Sequence, residues 1–425
     1  SCQAVVAADM VGANRILVCC PAAVRVNWAR EFERFSPLDR PCTVLMTGKD
    51  RVPMDGVVVC SYDSLLNDKL REQLKRVQWD LLVLDEAHYL KERSAKRTKA
   101  IYGHNSRAPG LMVNAKRTWR LTGTPAPNNA SELYTHLKSA GLIDMPYWDF
   151  VFRYCTGFDS GFGFKITGHK NVDELKQLLG RFMLRRKKDD VMTELPPITF
   201  QQVTVERTAV DLLPFYEQLR GKTKDQFMSE LKLADSTLKA AFLAIKDSNT
   251  PFQDRLKVIE SMANGNMTTL RRYLGLAKLT RFSDIIEEEL ATGALTKIVI
   301  FAIHRDVIEG LRNRFGKYGV VTLYGGTPAE KRQAHIDRFQ KDPKCRVFVG
   351  NIQAAGTGIT LTAAHEVAFI EADWVPANNA QAAMRCHRIG QTKPVRVRFF
   401  SCAGSVDEEV MDTLRRKARE LAKLD

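Results

Sequence analysis

Leu81-Leu82-Val83-Leu84-Asp85-Glu86-Ala87-His88 decides how this chain is read. Four apolar residues run directly into two carboxylates. Such a short apolar run predicts a fully buried parallel strand, and in open α/β sheets ligands collect beyond the carboxyl ends of such strands. There Asp85 is placed to hold Mg²⁺ through its oxygens and Glu86 to orient and polarise an attacking water. The stretch reads as the ATP-hydrolysing end of a motor, a DEAH-type box. The competing reading is an acidic helix start, because Asp and Glu suit the first turn of any helix.

Two further stretches supply context. Leu121-Thr122-Gly123-Thr124-Pro125 comes after a predicted strand ending at Trp119-Arg120, and Gln381-Ala382-Ala383-Met384-Arg385-Cys386-His387-Arg388-Ile389-Gly390-Gln391 lies far downstream. With these three signals in order, the chain resembles the superfamily two helicase motors, and among them the Swi/Snf-type DNA translocases, whose last motif reads Q-x-x-x-R-x-H-R-I-G-Q. The resemblance runs from Ser1 to about Leu421. A finer likeness, to the annealing-helicase and fork-remodelling branch, rests on Phe152-Arg153-Tyr154-Cys155, Asn171 to Leu179, Leu184 to Val191 with Leu195-Pro196-Pro197, and Leu270-Arg271-Arg272 with Gly275-Leu276-Ala277-Lys278. The family likeness implies ATP and Mg²⁺ as cofactors and double-stranded or forked DNA as partner. It also implies a monomeric motor that translocates without true unwinding, and the finer likeness implies reannealing or fork reversal.

Site residues are carried over motif by motif. No G-x-x-x-x-G-K-[ST] phosphate loop occurs, yet Ser1-Cys2-Gln3-Ala4-Val5 resembles the segment immediately after the lysine of that loop. Ser1 is thereby expected to ligate Mg²⁺, with the lysine and glycines just upstream. Starting at Ser1, the chain is expected to bind duplex DNA and turn over negligible ATP. The nucleotide set is completed by His88, Gln391 and Gly356, and Thr122, Gly123 and Thr124 are the expected coupling residues. Arg385 and Arg388, three apart, are predicted to share one helical face and act as arginine fingers on the γ-phosphate. Ala383 and Met384 stand where the family often has acidic residues. DNA contacts are expected from Pro21, Asn27, Ser61 and Tyr62 in the first lobe, and from Gly325, Gly326 and Thr357 in the second, gripping phosphates without reading bases. Trp28 and Trp374 read as core.

Composition agrees with a polyanionic partner: Lys plus Arg number 64 against 49 Asp plus Glu, for a net charge of +15. Nine cysteines without a C-x-x-C pair, and histidines never spaced for metal, predict free thiols in a reducing compartment and no structural metal. No apolar stretch approaches the roughly 18 residues of a membrane span, and no signal peptide is visible. The expected location is intracellular: nuclear in a eukaryote, cytoplasm or nucleoid otherwise.

The fold class expected is α/β. Strand-like and helix-like segments alternate from Arg15 to about Leu142 and again from Ile298 to Phe400, predicting two RecA-like lobes with parallel sheets and helical insertions between them. The expected division is a first lobe over 1–206 with a helical extension from about 144, a helical protrusion and linker over 207–280, and a second lobe over 281–425. Gly161-Phe162-Gly163-Phe164 predicts a turn or hairpin on the extension. Two rivals stand beside the DNA motor. One is an RNA-dependent helicase, and the other a non-catalytic DNA-binding scaffold that has discarded its phosphate loop. A scaffold has no use for Asp85 and Glu86 together with Arg385 and Arg388.

Overall fold

The computed structural model describes residues 1–104, 108–161, 163–186, 188–192, 194–206, 267–355, 358–403 and 405–422. The chain divides into two units, one of Ser1–Lys187 with Val375–Ala377 and Arg415–Asp425, the other of Lys188–Trp374 with Asn378–Leu414.

The first unit carries, in chain order, α1 (Cys2–Met10), β1 (Ile16–Cys20), α2 (Arg25–Phe35), β2 (Cys42–Val44), β3 (Val57–Ser61), α3 (Asp68–Lys75), β4 (Trp79–Asp85), α4 (Lys96–Tyr102), β5 (Ala115–Leu121) and α5 (Tyr134–Ser139). The five strands are parallel in the order β2-β3-β1-β4-β5, with Ile16 in register with both Val57 and Leu81. Every residue of β1 and β3 is buried, as expected for parallel strands covered on both faces. Period-two alternation divides the core. Leu17, Cys19, Val58, Cys60, Leu82 and Leu84 pack on one face of the sheet. Ile16, Val18, Val57, Val59, Leu81 and Val83 pack on the other with Trp28 and Phe32 of α2. Each such side chain contributes about 1.5–3 kcal/mol when fully buried. This two-sided packing fixes the β4 terminus, and Asp85 with it.

An extension comes next: α6 (Tyr147–Tyr154), an antiparallel pair β6 (Cys155–Asp159) and β7 (Phe164–His169), and α7 (Val172–Gly180). The expected hairpin is present, its turn closed by Ser160 donating to the Gly163 carbonyl. Phe162 lies outside the described residues.

The second unit contains β8 (Ile198–Val205), α8 (Met267–Ala291), β9 (Ile298–Ala302), α9 (Arg305–Arg314), β10 (Val320–Leu323), α10 (Ala329–Lys341), β11 (Val347–Asn351), β12 (Glu366–Phe369), α11 (Pro376–Ala383), β13 (Val395–Cys402) and α12 (Val406–Ala422), although α11 and α12 each cross into the first unit's residues. Its six parallel strands run β10-β11-β9-β12-β13-β8.

Two expectations need correction. The segment 198–205 is expected in the first lobe, but β8 pairs with β13 from Ile198↔Val395 to Val205↔Cys402 and is the edge of the second sheet. Periodicity identifies a strand without naming its neighbour. Arg385 and Arg388 do not share a helical face, because α11 ends at Ala383 and both lie in the turns beyond it. The protrusion expected over 207–280 falls outside the described residues up to 266, and α8 begins at Met267.

Candidate active site

Asp85 is the last residue of β4, and Glu86 after it takes a left-handed conformation with φ 49° and ψ 51°. A non-glycine residue held there costs on the order of 1–3 kcal/mol, and such strain gathers at functional sites. It turns the chain sharply, so that consecutive carboxylates take different partners. Asp85 Oδ2 accepts from Trp28 Nε1 at 2.8 Å, and Oδ1 from the Glu86 amide at 3.0 Å. The Asp85 carbonyl accepts from the Tyr62 hydroxyl at 2.8 Å. Burial, and then the neighbouring Glu86 charge, raise the Asp85 pKa, while the Trp28 hydrogen bond pulls it down.

Glu86 meets His88, whose Nδ1 is 3.3 Å from Glu86 Oε2 and 3.1 Å from Thr122 Oγ1. Facing a carboxylate and a hydroxyl, Nδ1 is best used as a proton donor. Thr122 Oγ1 in turn accepts from the Thr124 amide at 3.1 Å. His88 thus joins the acidic turn at the end of β4 to the Thr122-Gly123-Thr124 loop at the end of β5.

The chemistry at Asp85 fits Mg²⁺. The ion takes hard oxygen ligands, commonly one or two carboxylates with the remainder from water and phosphate. Each Asp85 oxygen accepts one hydrogen bond and keeps a lone pair for a cation. The hydroxyl expected on the metal is engaged elsewhere, since Ser1 Oγ donates to Glu31 Oε2 at 2.6 Å.

Other expected residues are redistributed by burial. Ser61 and Tyr62, predicted to face DNA, are buried, with only 3% and 2% of their surface exposed. Ser61 Oγ meets Ser64 Oγ at 2.7 Å and accepts the Ser64 amide. Tyr62 stacks on Tyr89 with ring centroids 5.9 Å apart. Their side chains brace the sheet end, correcting the DNA-facing expectation. Pro21 is buried after β1, whereas Asn27 is exposed.

In the second unit Gly325 and Gly326 are exposed in a turn closed by Thr327 N to Tyr324 O at 2.9 Å. A Cβ on Gly325 would meet nothing within 4 Å, leaving its backbone accessible. Arg305 lies over the Tyr324 ring at 5.3 Å, and Arg332 Nη2 reaches the Tyr324 carbonyl at 3.4 Å. Sequence reasoning misses these two cations. Their signal is an arginine in the first turn of the helix before β10 and of the helix after the Gly-Gly turn.

Arg385 is buried, and Arg388 reaches Thr360 Oγ1 from Nη1 at 3.4 Å. Gln391, expected at the nucleotide, is a buried loop pin. Its Nε2 lies within 3.2 Å of the Thr362, Ala364 and Cys386 carbonyls, and its Oε1 accepts from the Thr392 and Lys393 amides. An amide side chain so fully engaged has nothing left for a ligand. His387 Nε2 meets the Pro196 carbonyl at 2.7 Å, anchoring the same loop. Gly356 and Thr357 lie outside the described residues.

Among the described residues, no group of three or more His, Cys, Asp or Glu could hold a metal, and no helix is long and apolar enough to cross a membrane.

The family described as SNF2-related domain matches residues 6–261, and that described as helicase conserved C-terminal domain matches 278–390. The chain is 29% identical over 424 residues to "DNA annealing helicase and endonuclease ZRANB3" of Mus musculus, covering 95% of the chain and 36% of the relative. It is 30% identical over 412 residues to "SWI/SNF-related matrix-associated actin-dependent regulator of chromatin subfamily A-like protein 1" of Xenopus tropicalis, covering 96% and 40%. A solved "Sulfolobus solfataricus SWI2/SNF2 ATPase core in complex with dsDNA" is 26% identical, with 96% and 81% covered and a TM-score of 0.38. The chain therefore spans well under half the length of these two curated relatives. On the family match, which takes in more than half of its residues, the chain belongs to the SNF2-related family.

Proposed function

We propose that this chain is the motor core of an ATP-driven translocase on double-stranded DNA, acting in fork remodelling or strand reannealing. The observation that carries the proposal is the turn at the end of β4. There Asp85 is positioned by Trp28, while Glu86, in a left-handed conformation, is tied through His88 to Thr122. When bound, Mg²⁺ would neutralise phosphate charge; the protein's part is to hold Asp85 ionised in a buried setting and to aim Glu86 at a water. Movement of Glu86 is then felt at the Thr122 loop through His88, which is the coupling we assign to this trio.

Arg388 supplies positive charge to the transferring phosphoryl group in this proposal, with Arg385 held in the same loop by the Gln391 and His387 anchors. The exposed Tyr324–Thr327 turn, with Arg305 and Arg332 beside it, is assigned to the sugar-phosphate chain. The relatives named for DNA annealing and for chromatin regulation support a DNA substrate over RNA. The test is ATP hydrolysis by the full-length protein with linear duplex, forked DNA, single strands and RNA. Stimulation by duplex and fork above RNA is expected; equal or greater stimulation by RNA would favour the RNA-dependent helicase.

A further inference from the structure

Residues 91–99, which follow the acidic turn, hold five cations against the single carboxylate of Glu92. Lys91 is paired with Glu132 at 2.7 Å, and Glu92 Oε1 accepts from the Ser94 amide and hydroxyl. The two arginines are held on aromatic faces instead: Arg93 lies 4.5 Å from the Tyr147 ring centroid, and Arg97 of α4 lies 5.3 Å from that of Tyr89. Among the described residues neither makes an ion pair, and the half-buried Arg97 has its Nε enclosed without a hydrogen-bond partner. A donor withheld from water and left unpaired costs stability, so such a group calls for an explanation. Tyr89 also connects Arg97 to the site. Its ring stacks on Tyr62 with centroids 5.9 Å apart and 13° between planes, and Tyr62 donates to the Asp85 carbonyl at 2.8 Å.

We propose that Arg97 binds a backbone phosphate of duplex DNA, and that the contacts from Arg97 through Tyr89 and Tyr62 carry this binding to the Asp85–Glu86 turn. The proposal rests on the DNA-motor reading above and names a contact through which DNA acts on the hydrolytic site. A guanidinium laid on an aromatic ring keeps its N–H edge for an anion, and phosphate oxygens are strong acceptors for that edge. The charge of the segment selects a polyanion over a lone carboxylate. Arg93, Lys96 and Lys99 are exposed and have no ion pair among the described residues, so their field raises the local concentration of phosphate-rich chains. A nucleotide phosphate shares this chemistry, and the experiment separates the two sources.

The test is equilibrium binding of the full-length protein to duplex DNA over a range of salt, with Arg97→Gln and Arg97→Lys beside wild type. Loss of one phosphate contact should reduce the log–log salt slope by about 0.9 and weaken binding to unrelated duplexes alike. Arg97→Gln should show both effects, and Arg97→Lys, which keeps the charge, should retain the wild-type slope. Tyr89→Leu leaves the Arg97 charge in place, so it should keep that slope while losing stimulation of ATP hydrolysis at saturating DNA. Should Arg97→Gln fail to fold, phenylglyoxal labelling of Arg97 in wild type serves instead. Duplex DNA should slow the labelling, and ATP without DNA should not. An unchanged slope in Arg97→Gln, or protection by ATP alone, overturns the DNA-phosphate contact. Full stimulation in Tyr89→Leu overturns the link to Asp85. Failure of the underlying motor reading looks different, because wild type would then bind no DNA and its hydrolysis would not respond to DNA, and both proposals fall.

Discussion

Replacing Trp28 by Phe separates the chemistry of Asp85 from the packing around it. Trp28 is 1% exposed, so its ring is core, and its single polar atom donates to Asp85 Oδ2 at 2.8 Å. Phe keeps most of the apolar contact and deletes the donor. A hydrogen bond to a charged group is worth about 1.5–3 kcal/mol, and about 1.36 kcal/mol moves a pKa by one unit. The Asp85 pKa, already raised by burial and by Glu86, should therefore climb further. A protonated Asp85 cannot ligate Mg²⁺, so the acid limb of Mg²⁺-dependent ATP hydrolysis should move to higher pH. Tyr62→Phe is the control. Tyr62 donates to the Asp85 backbone carbonyl, so its loss should cost about 0.5–1.5 kcal/mol of stability and leave the acid limb in place. Rate profiles of both variants in the full-length protein, from about pH 4 to 8, a window spanning the ordinary carboxylate range and the units above it, provide the assay. An unmoved limb in Trp28→Phe, or equal movement in both variants, would refute the assignment of Asp85 and its tuning by Trp28.

Geometry and charge elsewhere in the chain set two further outcomes. His136 is buried beside Arg120 and Tyr102, and burial first, then Arg120, lower its pKa from 6.5 to about 3. The folded state then binds fewer protons than the unfolded state between about pH 3 and 6.5. Its stabilising contribution is complete above pH 6.5 and is lost as pH falls toward 3, at up to about 1.4 kcal/mol per unit; His136→Gln should flatten this part of a denaturation-versus-pH curve, and an unchanged slope would contradict it. DNA affinity should fall linearly with salt in log–log terms, and unrelated duplexes of equal length should differ by no more than about 1 kcal/mol. A preference for one linear sequence that persists at high salt would oppose a phosphate-gripping motor.

The apolar run Leu81-Leu82-Val83-Leu84 is legible as a buried strand because its neighbours in sequence carry the same pattern, and pattern is what two-sided burial leaves in a chain. The features that escape sequence reading depend on partners distant along the chain. Ile198–Val205 reads as a strand, but only the β13 register shows which sheet it joins. Tyr62 and Gln391 lie within motifs that assign them to ligands, yet burial turns the first onto the Asp85 carbonyl and the second onto three loop carbonyls. Trp28 is core, as its setting in the sequence indicates, but its second role cannot be read from position alone. A buried indole N–H needs an acceptor, and the sequence does not say that the acceptor is Asp85. The spacing of Arg385 and Arg388 suits a helix, but α11 ends at Ala383.

The most direct test of the central claim is the hydrolysis rate of the full-length Glu86→Gln protein with duplex and forked DNA, measured beside its affinity for ATP and for DNA. Glutamine keeps the shape of the side chain and removes the charge that polarises water. The expected result is hydrolysis abolished in the presence of either DNA, with ATP and DNA still bound. Near-normal turnover in that variant would contradict the assignment of Glu86 and, with it, the motor site at the end of β4.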